Sequence, residues 1–335
     1  MNQLTDNFGR IHDYLRVSIT DRCNLRCVYC VGSEDSKSYS SHWKLLHHEE
    51  ILEVVRCAAE LGVTKVRLTG GEPLVHPDII EITKQIRNIP GINDLSLTTN
   101  GILLRETAER LKGAGLNRVN ISLDSLDPMR YREITRDGDL EKVLQGLDAA
   151  LSHGLEPVKI NMVLMKNRND FEIPDFMNLA LNRNLIVRFI EYMPIDHHDE
   201  NYSSSYVPAS VVKKTAEAAS FKLIPVNHPL GAGPADYYSI SKNGKKGTIG
   251  LINSISRHFC SSCNRLRLTA DGKLKSCLYW QKEFGVHSAL GDKDKLKVLI
   301  KRALQCKNQR HLMGLDETAC QNNSVTLRSM SRTGG

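Results

Sequence analysis

The chain has 335 residues, 41% of them hydrophobic and 25% charged, with glycine (23) and proline (11) near ordinary usage; disorder and fibrous repeats are excluded, and the length suffices for one large core or a core with a smaller module. No stretch approaches the roughly 18 consecutive apolar residues of a membrane span, and the opening MNQLTDNFGRIHDYLRVSIT has neither the apolar core of a secretory signal nor the acid-poor look of a transit peptide, so a cytoplasmic chain without a membrane partner is expected. Lys plus Arg (45) against Asp plus Glu (38) leaves a net +7, which suits an anionic partner.

Between residues 14 and 193, short β-type runs alternate with amphipathic stretches whose apolar residues recur at three and four. The runs cover 15–20, 65–69, 94–100, 118–124, 158–165 and 186–192; the helical stretches cover 49–61, 78–88, 107–114, 140–153 and 170–184. Six β/α units therefore follow one another, and helical crossovers make their strands parallel. Six units are too few for a closed eight-stranded barrel, and ligands belong at the carboxyl ends of the strands.

Residues two apart share a face of a strand. Val66 and Leu68 oppose Lys65, Arg67 and Thr69; Leu95 and Leu97 oppose Ser96, Thr98 and Asn100; Val119, Ile121 and Leu123 oppose Asn120, Ser122 and Asp124. Lys159 and Asn161 repeat the pattern in the fifth run. Such faces cannot line a dry centre, because a buried unpaired cation or amide is costly. They predict a partly open barrel with a wet, basic lumen that holds a large polyanion.

After Pro194 the pattern changes. A polar loop, DHHDENYSSSY, leads to a short helix over 208–219 and then to β-rich sequence with hairpin turns at Asn243-Gly244 and Asp271-Gly272. Residues 292–305 read as a surface helix, and the Ser-, Arg- and Gly-rich tail from about 321 is expected to be mobile. The expected division is a barrel over 1–220 and a C-terminal region over 221–335. His47 and His48 are expected to face solvent, His197 and His198 lie in the polar loop, and Cys57 reads as core.

Nine cysteines, an odd number, point to metal or redox chemistry rather than a disulfide framework. Cys23, Cys27 and Cys30 follow the first strand with spacing C-x3-C-x2-C. Thiolates on a wrapping loop suit an iron-sulfur cube, and three of them leave one iron open to a substrate or cofactor. Cys260, Cys263 and Cys277 form a second trio, for which spacing alone leaves open a zinc site completed by His258, Cys306 or Cys320. Beside it, Arg265 and Arg267 share a strand face and make a natural clamp for a triphosphate.

The run Asp21-Arg-Cys-Asn-Leu-Arg-Cys-Val-Tyr-Cys30, followed by Thr69-Gly-Gly-Glu-Pro73, resembles the radical S-adenosylmethionine (SAM) enzymes. With Asp6-x-Phe8-Gly-Arg10, Tyr14-Leu-Arg16, Cys263-Asn-Arg-Leu-Arg-Leu268 and Gly334-Gly335, the chain resembles one subfamily, the GTP 3′,8-cyclases that begin molybdenum-cofactor biosynthesis. The resemblance implies an α/β fold: an incomplete (β/α)6 TIM-like barrel with a C-terminal β-rich extension carrying a second cluster. It implies two 4Fe-4S clusters, one on Cys23, Cys27 and Cys30 and one on Cys260, Cys263 and Cys277.

By the same resemblance Tyr29, Gly70, Gly71, Glu72, Ser122 and Met193 bind SAM, the glycines letting backbone approach its amino group. Arg16, Arg67, Thr98, Lys159, Arg265, Leu266 and Arg267 bind GTP, and Arg16, Arg265 and Arg267 also serve the reaction. That reaction removes the ribose 3′ hydrogen, joins C3′ to C8 of the base and delivers a cyclised dihydroguanosine triphosphate to cyclic pyranopterin monophosphate synthase. An electron donor is implied as a partner; oligomeric state is open, a homodimer included. Two other readings stand beside it. One is a radical SAM maturase acting on a peptide. The other is a zinc-containing nucleic-acid-binding module, which the 6% aromatic content disfavours. The tail's Gly334-Gly335 suggests a side-chain-free segment able to enter a crowded site.

Overall fold

Alternating strand faces decide the architecture. In the computed structural model, which describes residues 3–31, 44–195, 202–227, 233–313, 326 and 328–334, strands β1 (Tyr14–Ser18), β2 (Lys65–Thr69), β3 (Asp94–Thr99), β4 (Arg118–Ser122), β5 (Val158–Leu164) and β6 (Leu185–Glu191) run parallel and adjacent in chain order. Helices α1 (His48–Glu60), α2 (Ile79–Arg87), α3 (Leu104–Gly113), α4 (Pro128–Thr135), α5 (Leu140–Ser152) and α6 (Ile173–Asn182) fill the crossovers. Val66, Leu68, Leu95, Leu97, Val119 and Ile121 are fully buried in one large core cluster that includes the apolar stripes of the helices. The polar faces are thereby turned to the other side of the sheet.

All six strands and five of these helices lie where the alternation puts them. The exception is α4, eight residues with only Tyr131, Ile134 and Thr135 buried, too short for a periodic signal. Its local signal is the Asp127-Pro128 pair: the Asp127 side chain accepts from the Arg130 amide and proline occupies the first turn.

The C-terminal part comprises α7 (Tyr202–Ser205), α8 (Ser210–Ala218), β7 (Lys222–Val226), β8 (Asp236–Lys242), β9 (Lys245–Ile252), β10 (Arg265–Leu268), β11 (Lys273–Lys275), β12 (Phe284–Gly285), α9 (Lys293–Gln305) and α10 (Met330–Thr333). Its strands continue the same sheet at both edges. β9 pairs in parallel with β6, and β10 in parallel with β1, so eight parallel strands run β10-β1-β2-β3-β4-β5-β6-β9 with antiparallel strands outside them. The free edges of the six-stranded barrel are thus supplied with partners. The sheet crosses residue 220 without a break, and no pairing joins β9 to β10 among the described residues. Residues 253–264, which carry Cys260 and Cys263, connect the two edges across that opening.

Both hairpin turns are present. Asn243 (φ 50) and Gly244 (φ 77) join β8 to β9, and Gly272 (φ 72) joins β10 to β11. Helix α9 is amphipathic, burying Leu296, Ile300, Ala303 and Leu304. The tail differs from its expected mobility: Thr326, Ser329, Ser331, Thr333 and Gly334 are buried, because the segment docks inside the barrel mouth rather than on its surface. His47 caps α1 and is exposed, His48 is partly exposed, and Cys57 is core; His197, His198 and Cys320 lie outside the described residues.

Candidate active site

Register places three guanidiniums side by side. Arg16 on β1 stands opposite Arg67 on β2 and opposite Arg267 on β10. They face a cavity lined by eight cations (Arg16, Lys65, Arg67, Arg118, Lys159, Arg188, Arg265 and Arg267) and, among the described lining residues, no carboxylate. Thr98, Ser122, Tyr29, Met193 and all three cysteines of the second trio line it too. Arg118, Arg188 and Tyr14 were not anticipated. The signal was the same parity: Arg118 shares a face with Asn120 and Ser122, Arg188 is the polar break between Ile186 and Ile190, and Tyr14 shares a face with Arg16.

Two of these cations have acidic partners outside the lumen, Lys65 with Asp13 at 2.6 Å and Arg118 with Asp94. The Nε atoms of Arg16, Arg118 and Arg188 and the Tyr14 hydroxyl are buried with no partner. Burial, reinforced by Arg188, Arg118 and Arg67, pushes the Lys159 ammonium down to about 7. Desolvated cations that outnumber their carboxylate partners favour an anion among them.

Leu266 turns the other way. It alternates with Arg265 and Arg267 and is fully buried in the main core, so its side chain contributes packing rather than a cavity contact.

The first trio sits on the loop after β1. The Cys27 carbonyl accepts from the amides of Cys30 (2.9 Å) and Val31 (3.1 Å), and the Leu25 amide lies 3.3 Å from Cys23 Sγ. The end of the unanticipated α4 braces this loop, since Arg26 and Val28 donate to the carbonyls of Thr135 and Ile134. Burial pushes the Cys23 thiol up to about 11; burial, Asp124 and the sibling thiols push Cys27 well above its ordinary value. Such thiols keep their protons in the empty site and release them when a cationic metal group stabilises the thiolates, which fits a metal cluster. Tyr29 lines the cavity and donates to Asp124 at 2.7 Å.

The Gly-Gly-Glu-Pro turn is set against the backbone that carries the first trio. A Cβ on Gly70 would lie 2.6 Å from Thr20 O, and one on Gly71 would strike the Arg22 carbonyl. Gly71 and Glu72 donate their amides to Thr20 O (2.8 Å) and Arg22 O (2.7 Å). The glycines therefore let this turn dock on the backbone that leads into Cys23. Glu72 is also turned from the cavity: its carboxylate accepts from Leu74 N, Thr99 Oγ1 and Asn100 N at 3.0, 2.7 and 2.7 Å. Burial lifts it to about 7 in spite of those bonds.

The second trio is held from two sides. Cys260 and Cys263 flank a single 3₁₀ turn, and Cys277 follows β11. Arg10 spans the chain to reach it: Nη1 donates to Cys260 O (2.8 Å) and Gln309 O (2.9 Å), and Nη2 to Asn308 O (2.9 Å). Asp6 aims Arg10, accepting from its Nε at 2.6 Å and from its amide at 3.0 Å. Although burial raises the Cys263 thiol, Arg265 and Lys307 pull it down to about 6. For the zinc alternative, His258 and His311 bring ring nitrogens within 4.8 Å of the Cys260 sulfur, their rings stacked at 4.2 Å, while Cys306 is not in that group. The tail closes the lumen: Arg267 donates to Gly334 O at 2.6 Å and Met330 lines the cavity.

Residues 17–180 match the model of the Radical SAM superfamily, and residues 185–313 that of Molybdenum Cofactor Synthesis C. The chain is 46% identical, over all of both sequences, to the GTP 3′,8-cyclase of Listeria monocytogenes serotype 4b, and 43% identical at the same coverage to that of Lactiplantibacillus plantarum. Among solved structures, it resembles Streptococcus suis SuiB bound to the precursor peptide SuiA, with a TM-score of 0.62 and 14% identity over 89% of this chain and 67% of that one. That last likeness concerns the fold.

Proposed function

The chain belongs to the GTP 3′,8-cyclase family of radical SAM enzymes, and from that premise we propose that it converts GTP to (8S)-3′,8-cyclo-7,8-dihydroguanosine 5′-triphosphate in the first step of molybdenum-cofactor biosynthesis. The observation that carries the proposal is a lumen with no carboxylate among its described lining residues and with the row Arg267, Arg16 and Arg67 in register. A nucleoside triphosphate supplies the negative charge those cations lack. A peptide substrate offers no such charge by nature, and the isolated lumen gives a nucleic-acid chain no open stripe to follow.

Two four-iron clusters are assigned to the thiol trios Cys23, Cys27, Cys30 and Cys260, Cys263, Cys277. When bound, the first would supply the electron that cleaves SAM, and the second would supply a Lewis-acid iron for the guanine. Tyr29, Gly70, Gly71, Ser122 and Met193 are assigned to SAM, Glu72 acting by bracing the turn. Arg16, Arg67, Thr98, Lys159, Arg265 and Arg267 are assigned to GTP, joined by Arg118 and Arg188 on the same wall. Arg16, Arg265 and Arg267 also act on the reacting base, because fixed cations in a water-poor site stabilise the negative charge it gains without reorganising.

We assign an electron donor as partner, hand-over of the product to cyclic pyranopterin monophosphate synthase, and a cytoplasmic location. Eight cysteines among the described residues form no disulfide, which suits a reducing compartment, and among the described residues no helix is long and apolar enough to cross a membrane. The test is to incubate anaerobically reconstituted protein with SAM, a reductant and each nucleoside triphosphate in turn. An isomer of GTP with little or no turnover of ATP is expected, and equal turnover of the two refutes the assignment. Metal analysis should give about eight iron and eight sulfide per chain on the two-cube reading; zinc beside four iron would place a zinc ion at Cys260, His258 and His311 instead.

A further inference from the structure

Each thiol trio has a cation bonded to its backbone. Arg26, partly exposed, donates from Nη1 to Cys23 O at 2.8 Å and to Leu25 O at 3.0 Å. The cation of the second trio is buried. Lys307, just past α9, is 5% exposed. Its ammonium donates to Ser276 O at 2.6 Å, the carbonyl that adjoins Cys277, and to Arg265 O at 2.8 Å, two residues beyond Cys263.

Both of these acceptors are neutral carbonyls, and no carboxylate pairs with Lys307 among the described residues. A lone buried ammonium is costly unless an anion lies near it, and the cysteines flanked by its two carbonyls are the anions at hand. Lys307 is not part of the cavity lining. It lies behind the trio, where it can act on the thiolates without touching a nucleotide.

We propose that Lys307 is the built-in counter-cation of the second trio, and that its charge holds the group bound by Cys260, Cys263 and Cys277 at a higher reduction potential than that group would have without it. The proposal rests on the reading that each trio holds a four-iron cluster. Hydrogen bonds, net charge and burial around the sulfurs set the potential of such clusters. A cation fixed behind two of three ligands favours the reduced, more negative state. Lys307 is a positioning residue in this scheme: it reaches the reaction only through the thiolates.

The test compares the full-length holoenzyme with Lys307→Gln, which keeps donors for the two carbonyls and removes the charge, and with Lys307→Arg, which keeps both. Redox titration followed by electron paramagnetic resonance reads both clusters in one sample, the first serving as internal control. The expected result is a negative shift of one wave in Lys307→Gln, no shift of the other, and recovery in Lys307→Arg. Loss of four iron in Lys307→Gln but not in Lys307→Arg also supports a required charge. Two unchanged waves in a fully loaded Lys307→Gln overturn the proposal, as does iron loss in both variants, which would make size rather than charge the requirement. A wild-type protein with zinc or no metal at the second trio instead fails the cluster reading, before any variant is compared.

Discussion

Arg267 donates from Nη1 to the carbonyl oxygen of Gly334 over 2.6 Å, which fixes the second-last residue of the sequence to β10 in the lumen wall. Gly334 takes φ +72, and a Cβ there would lie 2.7 Å from Thr69 Oγ1, at the start of the Gly-Gly-Glu-Pro turn. The tail is therefore matched to the site by the absence of a side chain. Gly334→Val should disfavour the docked tail by roughly 1–3 kcal/mol through backbone strain alone, more with the clash. The barrel core does not depend on that residue, so iron content should stay intact while cyclisation falls. A variant with unchanged turnover would show that the docked tail plays no part in the reaction.

Arg267→Ala and Arg16→Ala test whether the arginine row does more than bind phosphate. Removing one fixed donor that stabilises charge formed during reaction typically lowers the rate by roughly 10² to 10³. Both variants should keep their iron and still cleave SAM, yet lose cyclised product at saturating GTP. Full recovery at high GTP would mean a raised KM only, and the row would then be a binding device.

Much of this site was legible because a strand's period of two sorts lumen from core residue by residue. Arg67, Thr98, Ser122 and Lys159 follow from that parity, and so does the burial of Leu266 on the opposite face, which a motif carried over as a block of contacts conceals. The cysteine spacings identify both trios for the same reason: their information is local. What escaped is non-local or too short. The parallel pairing of β9 with β6 and β10 with β1 depends on distant edges needing partners, which no window of sequence contains. Lys307 looks like one more cation at the end of a charged helix until the fold sets its ammonium against Ser276 and Arg265. The docking of Gly334 is likewise decided by Arg267, 67 residues away.

Arg10 links the start of the chain to the second trio, and it supports three carbonyls that belong to two other segments. Arg10→Ala strips Asp6 of its guanidinium and leaves it only the His12 Nε2 contact at 3.0 Å among side chains, and removing one member of a buried ion pair typically destabilises by about 3–5 kcal/mol. The loop carrying Cys260 should loosen before the β/α core does. The expected outcome is a lower melting temperature together with iron falling from about eight towards four per chain, the remainder being the first cluster. SAM cleavage, which needs only the first trio, should survive. Equal loss from both clusters would show that Arg10 supports the fold in general and not the second trio.

Lys159 gives the site a pH dependence of known sign. Burial, with Arg188, Arg118 and Arg67 adding to it, lowers its ammonium to about 7 from an ordinary 10.5. Between those values the unfolded chain holds a proton that the folded, nucleotide-free chain has lost. Stability of the empty protein should therefore rise with pH from about 7 to 10.5, and the full penalty of the buried charge applies below 7. A bound triphosphate reverses the balance, because an adjacent anion favours the charged form. Above pH 7.5 the phosphates are already ionised, so binding must take up a proton at Lys159. GTP affinity should then decline as pH rises towards 9, by at most about tenfold per unit for one group. Calorimetry in two buffers of different ionisation enthalpy should register that proton, and Lys159→Met should bind more weakly with a flatter profile. An equal slope in the two proteins would assign the titration to another group, since the substitution leaves nothing at residue 159 to take up a proton.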